Sequence, residues 1–446
     1  MPIAPARIAA FDVLLRVETQ DAYAVELLHS EGISRLSPVD RNLATQLVMG
    51  VLRWRSRLDS MISRFVSGRN EISKLDHEVR IALRLAIFQS KFLERVPDSA
   101  AVNDSVELVK RARKNSAAPL VNAVLRKLLK STDSPSPPML DSAEAVANEL
   151  AHPQWLVDSW TEQFGLSKSL RVCEYDQSTP ETSIRLREIN ASDCIEQLAS
   201  EGVTLDPGSL MANARRVFLG DITRTSPLYD GRIAIQDEGS QLVAALLGKG
   251  RRILDCCAAP GGKTAAIAVK NPSATILATE LHPQRARVMR KLNCPPNVNV
   301  VVADATRLPM SGKFDRILVD VPCSGTGTLS RNPEIKWKLR PSDLEDLHGR
   351  QVAILKAALD CLTENGRAVY STCSLERLEN ETVIEEVLRQ RPGIALVECR
   401  DTLQQLRDDG ELIWPHLGDL IDGPFLRTIP GIVPCDGFFA ALIEKK

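Results

Sequence analysis

From Arg252 onward the chain alternates short apolar runs with amphipathic stretches, and the first four runs each end in or just past an acid. Residues 253–257, 274–280, 299–304, 314–320 and 367–371 are apolar and rich in β-branched side chains. The segments 262–269, 283–292 and 342–362 between them have helical spacing. Runs of this kind suit strands buried on both faces, and strand–helix alternation points to a parallel doubly wound sheet. Residues 394–397 and 437–443 read as closing strands. The expected fold class is α/β with a Rossmann-like core. In such sheets ligands bind beyond the carboxyl ends of the strands, where Asp255, Glu280, Asp304 and Asp320 stand.

The loop after the first strand, Ala258-Ala259-Pro260-Gly261-Gly262-Lys263-Thr264, excludes two phosphate-binding readings. A P-loop needs glycine where this chain has Cys257, and the G-x-G-x-x-G spacing is absent. A nucleoside site without a triphosphate remains. Glu280 lies 25 residues after Asp255, where an acid accepts ribose hydroxyls, and Asp304 is placed to meet an adenine amino group. Such an acidic rim suits an adenosine cofactor with a cationic methyl donor.

Two thiols follow strands: Cys323 in Asp320-Val321-Pro322-Cys323-Ser324-Gly325-Thr326-Gly327, and Cys373 in Ser371-Thr372-Cys373-Ser374. Parallel neighbouring strands would bring both over one edge of the sheet. Two thiols and an acid beside a methyl donor point to covalent activation of a pyrimidine. Carbon 5 of cytosine attacks a methyl group only after a thiolate has added at carbon 6. Asp320 could hold the base through N3 and its exocyclic amine. These residues alone do not rank the two thiols.

The 446 residues are 44% hydrophobic and 25% charged, the balance of an ordinary globular chain with several domains. No apolar run reaches membrane-span length and no leader is visible, so a cytoplasmic protein without membrane attachment is expected. The ten cysteines lack zinc spacing, so no metal is expected and most read as small core residues. A net charge of −1 hides an asymmetry, since residues 1–130 hold 21 Lys+Arg against 14 Asp+Glu. The clusters Arg53-Trp54-Arg55-Ser56-Arg57 and Lys110-Arg111-Ala112-Arg113-Lys114 mark this part as the expected RNA surface.

Helical spacing runs from Arg7 to about Lys130, with Ile8, Phe11, Leu14 and Leu15, then Leu43, Leu47, Val51 and Leu52, predicting five or six helices. Ser37-Pro38 and Ser73 read as helix starts, Gly32 and Gly68 as punctuation. The Pro-rich stretch Ser131–Pro138 reads as a linker. Helices over 153–164 and 166–175 follow, with Trp155 and Trp160 as packing anchors. Residues 182–231 read as a small α+β unit.

Asp255 to Thr264, Asp320 to Gly327 with Arg331-Asn332-Pro333-Glu334, and Ser371 to Ser374 followed by Glu379-Asn380-Glu381 resemble the RNA cytosine-5 methyltransferase family. Asp40-Arg41-Asn42-Leu43-Ala44 and Asn122-Ala123-Val124-Leu125-Arg126 resemble NusB-like RNA-binding domains. Together they make nearly the whole chain similar to the RsmB (Sun/Fmu) type, which methylates a cytosine of bacterial small-subunit (16S) rRNA. The resemblance implies a NusB-like domain over 1–132, a Pro-rich linker with helices over 133–175, a small α+β module over 176–235, and a class I methyltransferase domain over 236–446. It implies Cys373 as nucleophile, Cys323 in product release and Asp320 as the residue orienting cytosine. It assigns Cys257, Ala258, Ala259, Pro260, Gly261, Gly262, Lys263, Glu280, Asp304 and Asp320 to S-adenosylmethionine. The expected partner is small-subunit rRNA, and the expected state is a monomer. A non-catalytic RNA-binding factor and a tRNA or protein methyltransferase are the competing readings. Cys435, in Pro434-Cys435-Asp436-Gly437-Phe438-Phe439, departs from the family pattern and reads as part of the last strand.

Overall fold

The computed structural model describes residues 3–20, 22–68, 71–94, 96–131, 139–188, 191–291, 294–310 and 312–446. Most of the expected linker (132–138) and the end of one expected helix (Leu292) lie outside them. The chain divides into two compact units, Met1–Thr179 with Leu329–Lys338, and Pro180–Thr328 with Leu339–Lys446.

The first unit is helical among its described residues. Its longer N-terminal helices are Pro5–Thr19, Pro38–Arg53, Arg55–Ser63, His77–Phe92, Asp98–Arg111 and Ala118–Lys130, with the short turns Ala24–Leu28 and Glu31–Ser34 between the first two. Phe11, Leu14, Leu47, Val51 and Leu52 are buried together, the face that helical spacing predicts. Ser37 caps its helix by accepting the Asp40 N–H at 3.1 Å. Two expectations fail. Ser73 sits in the 3₁₀ turn Ile72–Lys74, and it is Asp76 that adopts the extended N-cap backbone before His77. Gly32 lies inside the helix Glu31–Ser34. Helices Gln154–Phe164 and Leu166–Gln177 bury Trp160 completely.

The basic cluster at 53–57 does not face outward as a free surface. Arg53 is buried and donates to the Ser330 carbonyl at 2.8 Å, Arg55 is drawn toward Glu18 at 3.9 Å, and Arg57 pairs with Glu149 at 2.8 Å. Counting charges does not reveal partners from 37 to 277 residues away. The second cluster stays at the surface, where Lys110, Arg111 and Arg113 are exposed while Lys110 pairs with Glu107 at 2.7 Å, Arg111 with Asp12 at 2.7 Å and Lys114 with Asp76 at 2.9 Å.

Leu329–Lys338 completes this unit. Lys336 is buried and gives its ammonium to the carbonyls of Arg53 at 3.2 Å and Ala151 at 3.1 Å. Trp337 donates to the Leu52 carbonyl at 2.6 Å, and Glu334 accepts the Ala24 N–H at 2.8 Å. Burial pulls the Lys336 ammonium down to about 8.

The second unit holds two sheets. The smaller is antiparallel, ordered β2-β3-β1-β4 from β1 (Thr182–Leu186), β2 (Thr204–Pro207), β3 (Ala214–Leu219) and β4 (Ile233–Ile235). Ile184, Leu186 and Ile233 pack on Cys194 and Leu198 of the helix Ser192–Ser200.

Among the described residues the larger sheet has nine strands: β5 (Arg252–Asp255), β6 (Thr275–Glu280), β7 (Val298–Val302), β8 (Phe314–Asp320), β9 (Leu362–Thr372), β10 (Ile394–Val397), β11 (Ile421–Asp422), β12 (Phe425–Thr428) and β13 (Phe438–Lys445). Its order is β11-β12-β13-β9-β8-β5-β6-β7, with β10 on β13. The five strands β7, β6, β5, β8 and β9 run parallel, and β13 returns antiparallel to β9. Alternate residues face opposite layers. Leu254, Val319 and Tyr370 meet Val352, Leu355 and Val383 on one side, while Ile253, Leu318 and Val369 meet Leu242 and Ile267 on the other. The chain proceeds from β5 to β6 and β7, then restarts at β8 on the other flank of β5. That reversal makes the carboxyl ends of β5 and β8 the switch point of the sheet.

Candidate functional site

At the switch point β5 gives way to Cys256 and Cys257, and the helix Gly262–Lys270 begins after a Gly-rich turn. Gly261 takes φ 106°, a left-handed conformation that favours glycine. Cys257 is the meeting point of the acidic residues. Burial raises its thiol, and Asp255, Asp320, Glu280 and Asp304 each push it further in that direction. The four carboxylates stand at or just past the ends of β5, β6, β7 and β8, which are neighbours in the sheet.

They are not equivalent. Asp255 points inward, is 1% exposed, and accepts the Thr264 hydroxyl at 2.6 Å. Burial pushes its carboxyl up to about 7, so it belongs to the scaffold of the loop rather than to an exposed rim. Glu280 ends β6 and takes the His282 N–H at 2.8 Å. Asp304 accepts the N–H and hydroxyl of Thr306 at 2.9 and 2.8 Å, and those two bonds hold it below its ordinary value. It is exposed.

Asp320 ends β8 and uses both oxygens, one taking Lys263 Nζ at 2.8 Å and the other the Ser371 hydroxyl at 2.7 Å. Burial pulls the Lys263 ammonium down, but the attraction and hydrogen bond of Asp320 outweigh it and leave it raised. Lys263 also lies 5.0 Å over the Phe438 ring, so the lysine of the first loop is fixed between an acid and an aromatic face.

Parallel pairing sets Asp320 opposite Ser371. Cys323 and Cys373 follow those residues, and their sulfurs stand 3.3 Å apart. The thiol loop is pinned from behind, because Gly327 donates to the Cys373 carbonyl at 2.9 Å and accepts the Gly437 N–H at 2.7 Å. A Cβ on Gly327 would stand 2.2 Å from the Gly437 oxygen, which leaves room there for glycine alone. Cys323 is raised well above its ordinary value, first by its hydrogen bond with Cys373 and then by burial. Cys435 is buried in the core and carries no part of this site.

The structure therefore gathers Cys257 to Lys263, Glu280, Asp304, Asp320, Cys323 and Cys373 at the ends of neighbouring strands. Sequence reasoning gave no structural part to Glu379, Asn380, Ser324 and Ser374, which form a hydrogen-bonded knot behind the thiols. Polar residues in a short loop carry no periodic signal, and their contacts span up to 55 residues. Among the described residues no group of three or more His, Cys, Asp or Glu is arranged to hold a metal, and no helix is long and apolar enough to cross a membrane.

The 16S rRNA methyltransferase RsmB/F family matches residues 245–444, the NusB family residues 4–130, and the RsmF/B-like ferredoxin-like domain residues 152–217. The probable ribosomal RNA small subunit methyltransferase B of Bacillus subtilis (strain 168) is 31% identical over 450 residues and 98% of each chain. Its counterpart in Synechocystis sp. is 31% identical over 454 residues and 99% of each chain. The crystal structure of PH0851 covers all of both chains with a TM-score of 0.79 at 23% identity, a likeness of fold. With an all-helical NusB-like domain, a ferredoxin-like module and a Rossmann-like domain in succession, this chain belongs to the RsmB/F methyltransferase family.

Proposed function

We propose that the protein transfers a methyl group from S-adenosylmethionine to carbon 5 of a cytosine in small-subunit ribosomal RNA, through a thiolate adduct at carbon 6. The observation that carries this reading is the pair of sulfurs 3.3 Å apart beside Asp320, at the ends of adjacent parallel strands. One thiol is enough for nucleophilic attack, and a second at that distance suits a reaction that must also release its covalent product.

The residues present fit the methyl donor. Glu280 offers acceptors for ribose hydroxyls, Asp304 for an adenine amino group, and the exposed Leu281 beside Glu280 gives an apolar surface for the base. Asp320, paired with Lys263 at 2.8 Å, would add a further carboxylate on that side, and Cys257 to Lys263 would line the site. When bound, the donor supplies an electrophilic methyl group.

Cys373 attacks carbon 6 as a thiolate, forming the carbon–sulfur bond while the ring electrons move to carbon 5, which takes the methyl group. Asp320 holds the cytosine edge. Removal of the carbon 5 proton then returns the electron pair to the ring and expels Cys373, with Cys323 acting in this release. The NusB-like unit with its exposed Lys110, Arg111 and Arg113 supplies an RNA-binding surface.

The test is a denaturing gel with unmodified small-subunit rRNA and the methyl donor. Cys323→Ala is expected to accumulate a covalent protein–RNA band and Cys373→Ala to give none. The opposite pattern would exchange the two roles, and absence of methyl transfer by the intact protein would reject the reading.

A further inference from the structure

Strand pairing sets Asp320 opposite Ser371, but the ladder ends before either cysteine. Beyond it the loops meet directly where Gly327 donates to the Cys373 carbonyl and the Thr326 hydroxyl accepts the Leu375 N–H, both at 2.9 Å, and a third element grips both nearer the sulfurs. Behind them lies Glu379, fully buried in the turn Arg377–Glu379. Its Oε1 accepts the Ser324 N–H at 2.8 Å and the Gln351 amide at 2.9 Å. Its Oε2 takes the hydroxyls of Ser324 and Ser374, which lie 3.0 Å from each other. Ser324 follows Cys323 directly and Ser374 follows Cys373, so one carboxylate grips the residue after each thiol.

The grip is backed by further bonds. The Tyr370 hydroxyl donates to the Glu379 carbonyl at 2.6 Å, and the Thr372 hydroxyl to Asn380 Oδ1 at 2.6 Å. Asn380 donates to the Ser374 carbonyl at 2.9 Å. A buried carboxylate whose two oxygens are taken up in this way favours one arrangement of its loops. Burying a carboxylate among neutral donors is costly unless its lone pairs are taken up, and here the donors that take them up belong to the two thiol loops.

We propose that Glu379 is a positioning residue of the two-thiol site, tying the Cys323 and Cys373 loops to a single carboxylate and so setting the separation of their sulfurs. The proposal rests on the two-thiol chemistry above. The groups surrounding Cys323 are Cys373 and Glu379, with Tyr370, Asp320 and Lys263 close to the pair. Glu379 and Cys373 both act to keep the Cys323 proton in place.

The test uses the full chain without RNA or methyl donor, so it reads the thiols whether or not methyl transfer occurs. Iodoacetamide labelling of Cys323 and Cys373 is followed by peptide mass spectrometry from about pH 6 to about pH 10 in wild type, Glu379→Gln and Ser324→Ala. Glutamine keeps the shape but presents an amide NH₂ to groups that need an acceptor. Cys323 labelling is expected to rise across this range in Glu379→Gln, by about threefold or more at neutral pH. Ser324→Ala removes one hydroxyl but keeps the N–H, and is expected to move labelling in the same direction by less. Wild-type labelling profiles in either variant, with unchanged circular dichroism, would overturn the proposal. If Glu379→Gln does not fold, Ser324→Ala decides alone.

Discussion

Asp255 offers a quantitative check on the electrostatics of the switch point. Its carboxyl is 1% exposed, and burial lifts it from an ordinary 3.8 to about 7, against the opposing pull of the Thr264 hydroxyl. The folded protein then binds this proton more tightly than the unfolded chain. The stability linked to Asp255 is fully present below about pH 4 and is lost as pH rises toward about 7. Every tenfold difference in proton affinity between the folded and unfolded chain is worth about 1.4 kcal/mol. Ionising the group inside the fold therefore costs roughly 4 kcal/mol in total, of which roughly 2 to 3 kcal/mol falls between about pH 5 and about pH 8. Asp255→Asn removes the titration while keeping an acceptor for Thr264. The unfolding free energies of wild type and Asp255→Asn, from denaturant melts of the ligand-free protein, are to be compared at both pH values. Other titrating groups cancel in the difference. The variant should gain on wild type by that amount as pH rises. A difference that stays flat within about 0.5 kcal/mol, or that grows in favour of wild type, would mean Asp255 is an ordinary carboxylate in the fold. It would then have to be counted with Glu280, Asp304 and Asp320 in the field acting on the methyl donor.

Gly327→Ala forces a Cβ to 2.2 Å from the Gly437 oxygen, and should cost roughly 1 to 3 kcal/mol by thermal melting and, added to Cys323→Ala, abolish the covalent band. Gly349, inside the helix Pro341–Asp360 with nothing within 4 Å of an added Cβ, is the matched control, and Gly349→Ala should stabilise by about 0.5 to 1 kcal/mol. Lys336 sits at about 8 in the fold against an ordinary 10.5. The unfolded chain therefore binds its proton more tightly, and wild type gains stability as pH rises from about 8 to about 10.5. The stability of wild type relative to Lys336→Met should rise by about 2.5 kcal/mol between about pH 7 and about pH 10, and a pH-independent difference would count against a buried ammonium.

The sheet was legible because its strands are buried on both faces and so show as unbroken apolar runs. Phe314–Asp320 lies where its run does, and so does the half-buried edge strand Ile394–Val397, which is short and wholly apolar. The strand before Cys373 starts at Leu362 rather than Arg367, because Thr363, Glu364 and Asn365 extend it with polar residues that break the run. The short strands Ile421–Asp422 and Phe425–Thr428 escaped for a similar reason, being too brief to carry a period. At the site, the acids and thiols could be placed at strand ends, but sequence did not distinguish the buried Asp255 from the exposed Asp304. That difference is one of side-chain direction after the strand. Glu379 was visible as a residue but not as a hub, since its partners come from the loops at 324 and 374 and from Gln351 in the helix Pro341–Asp360. Arg53 looked like a phosphate ligand until its carbonyl partner at Ser330 was known.

Leu329–Lys338 begins two residues beyond Gly327, the glycine that locks the Cys323 loop. The helical unit thus borrows ten residues from the middle of the sequence that builds the sheet unit. Neither unit is encoded by one uninterrupted stretch of gene. A fragment ending at Thr179 would lack Lys336 and Trp337, exposing the carbonyls of Leu52, Arg53 and Ala151 that these side chains cover. Recombination could exchange a NusB-like domain in this lineage only together with a matching decapeptide from inside the methyltransferase. The two halves are therefore expected to be inherited as a single block.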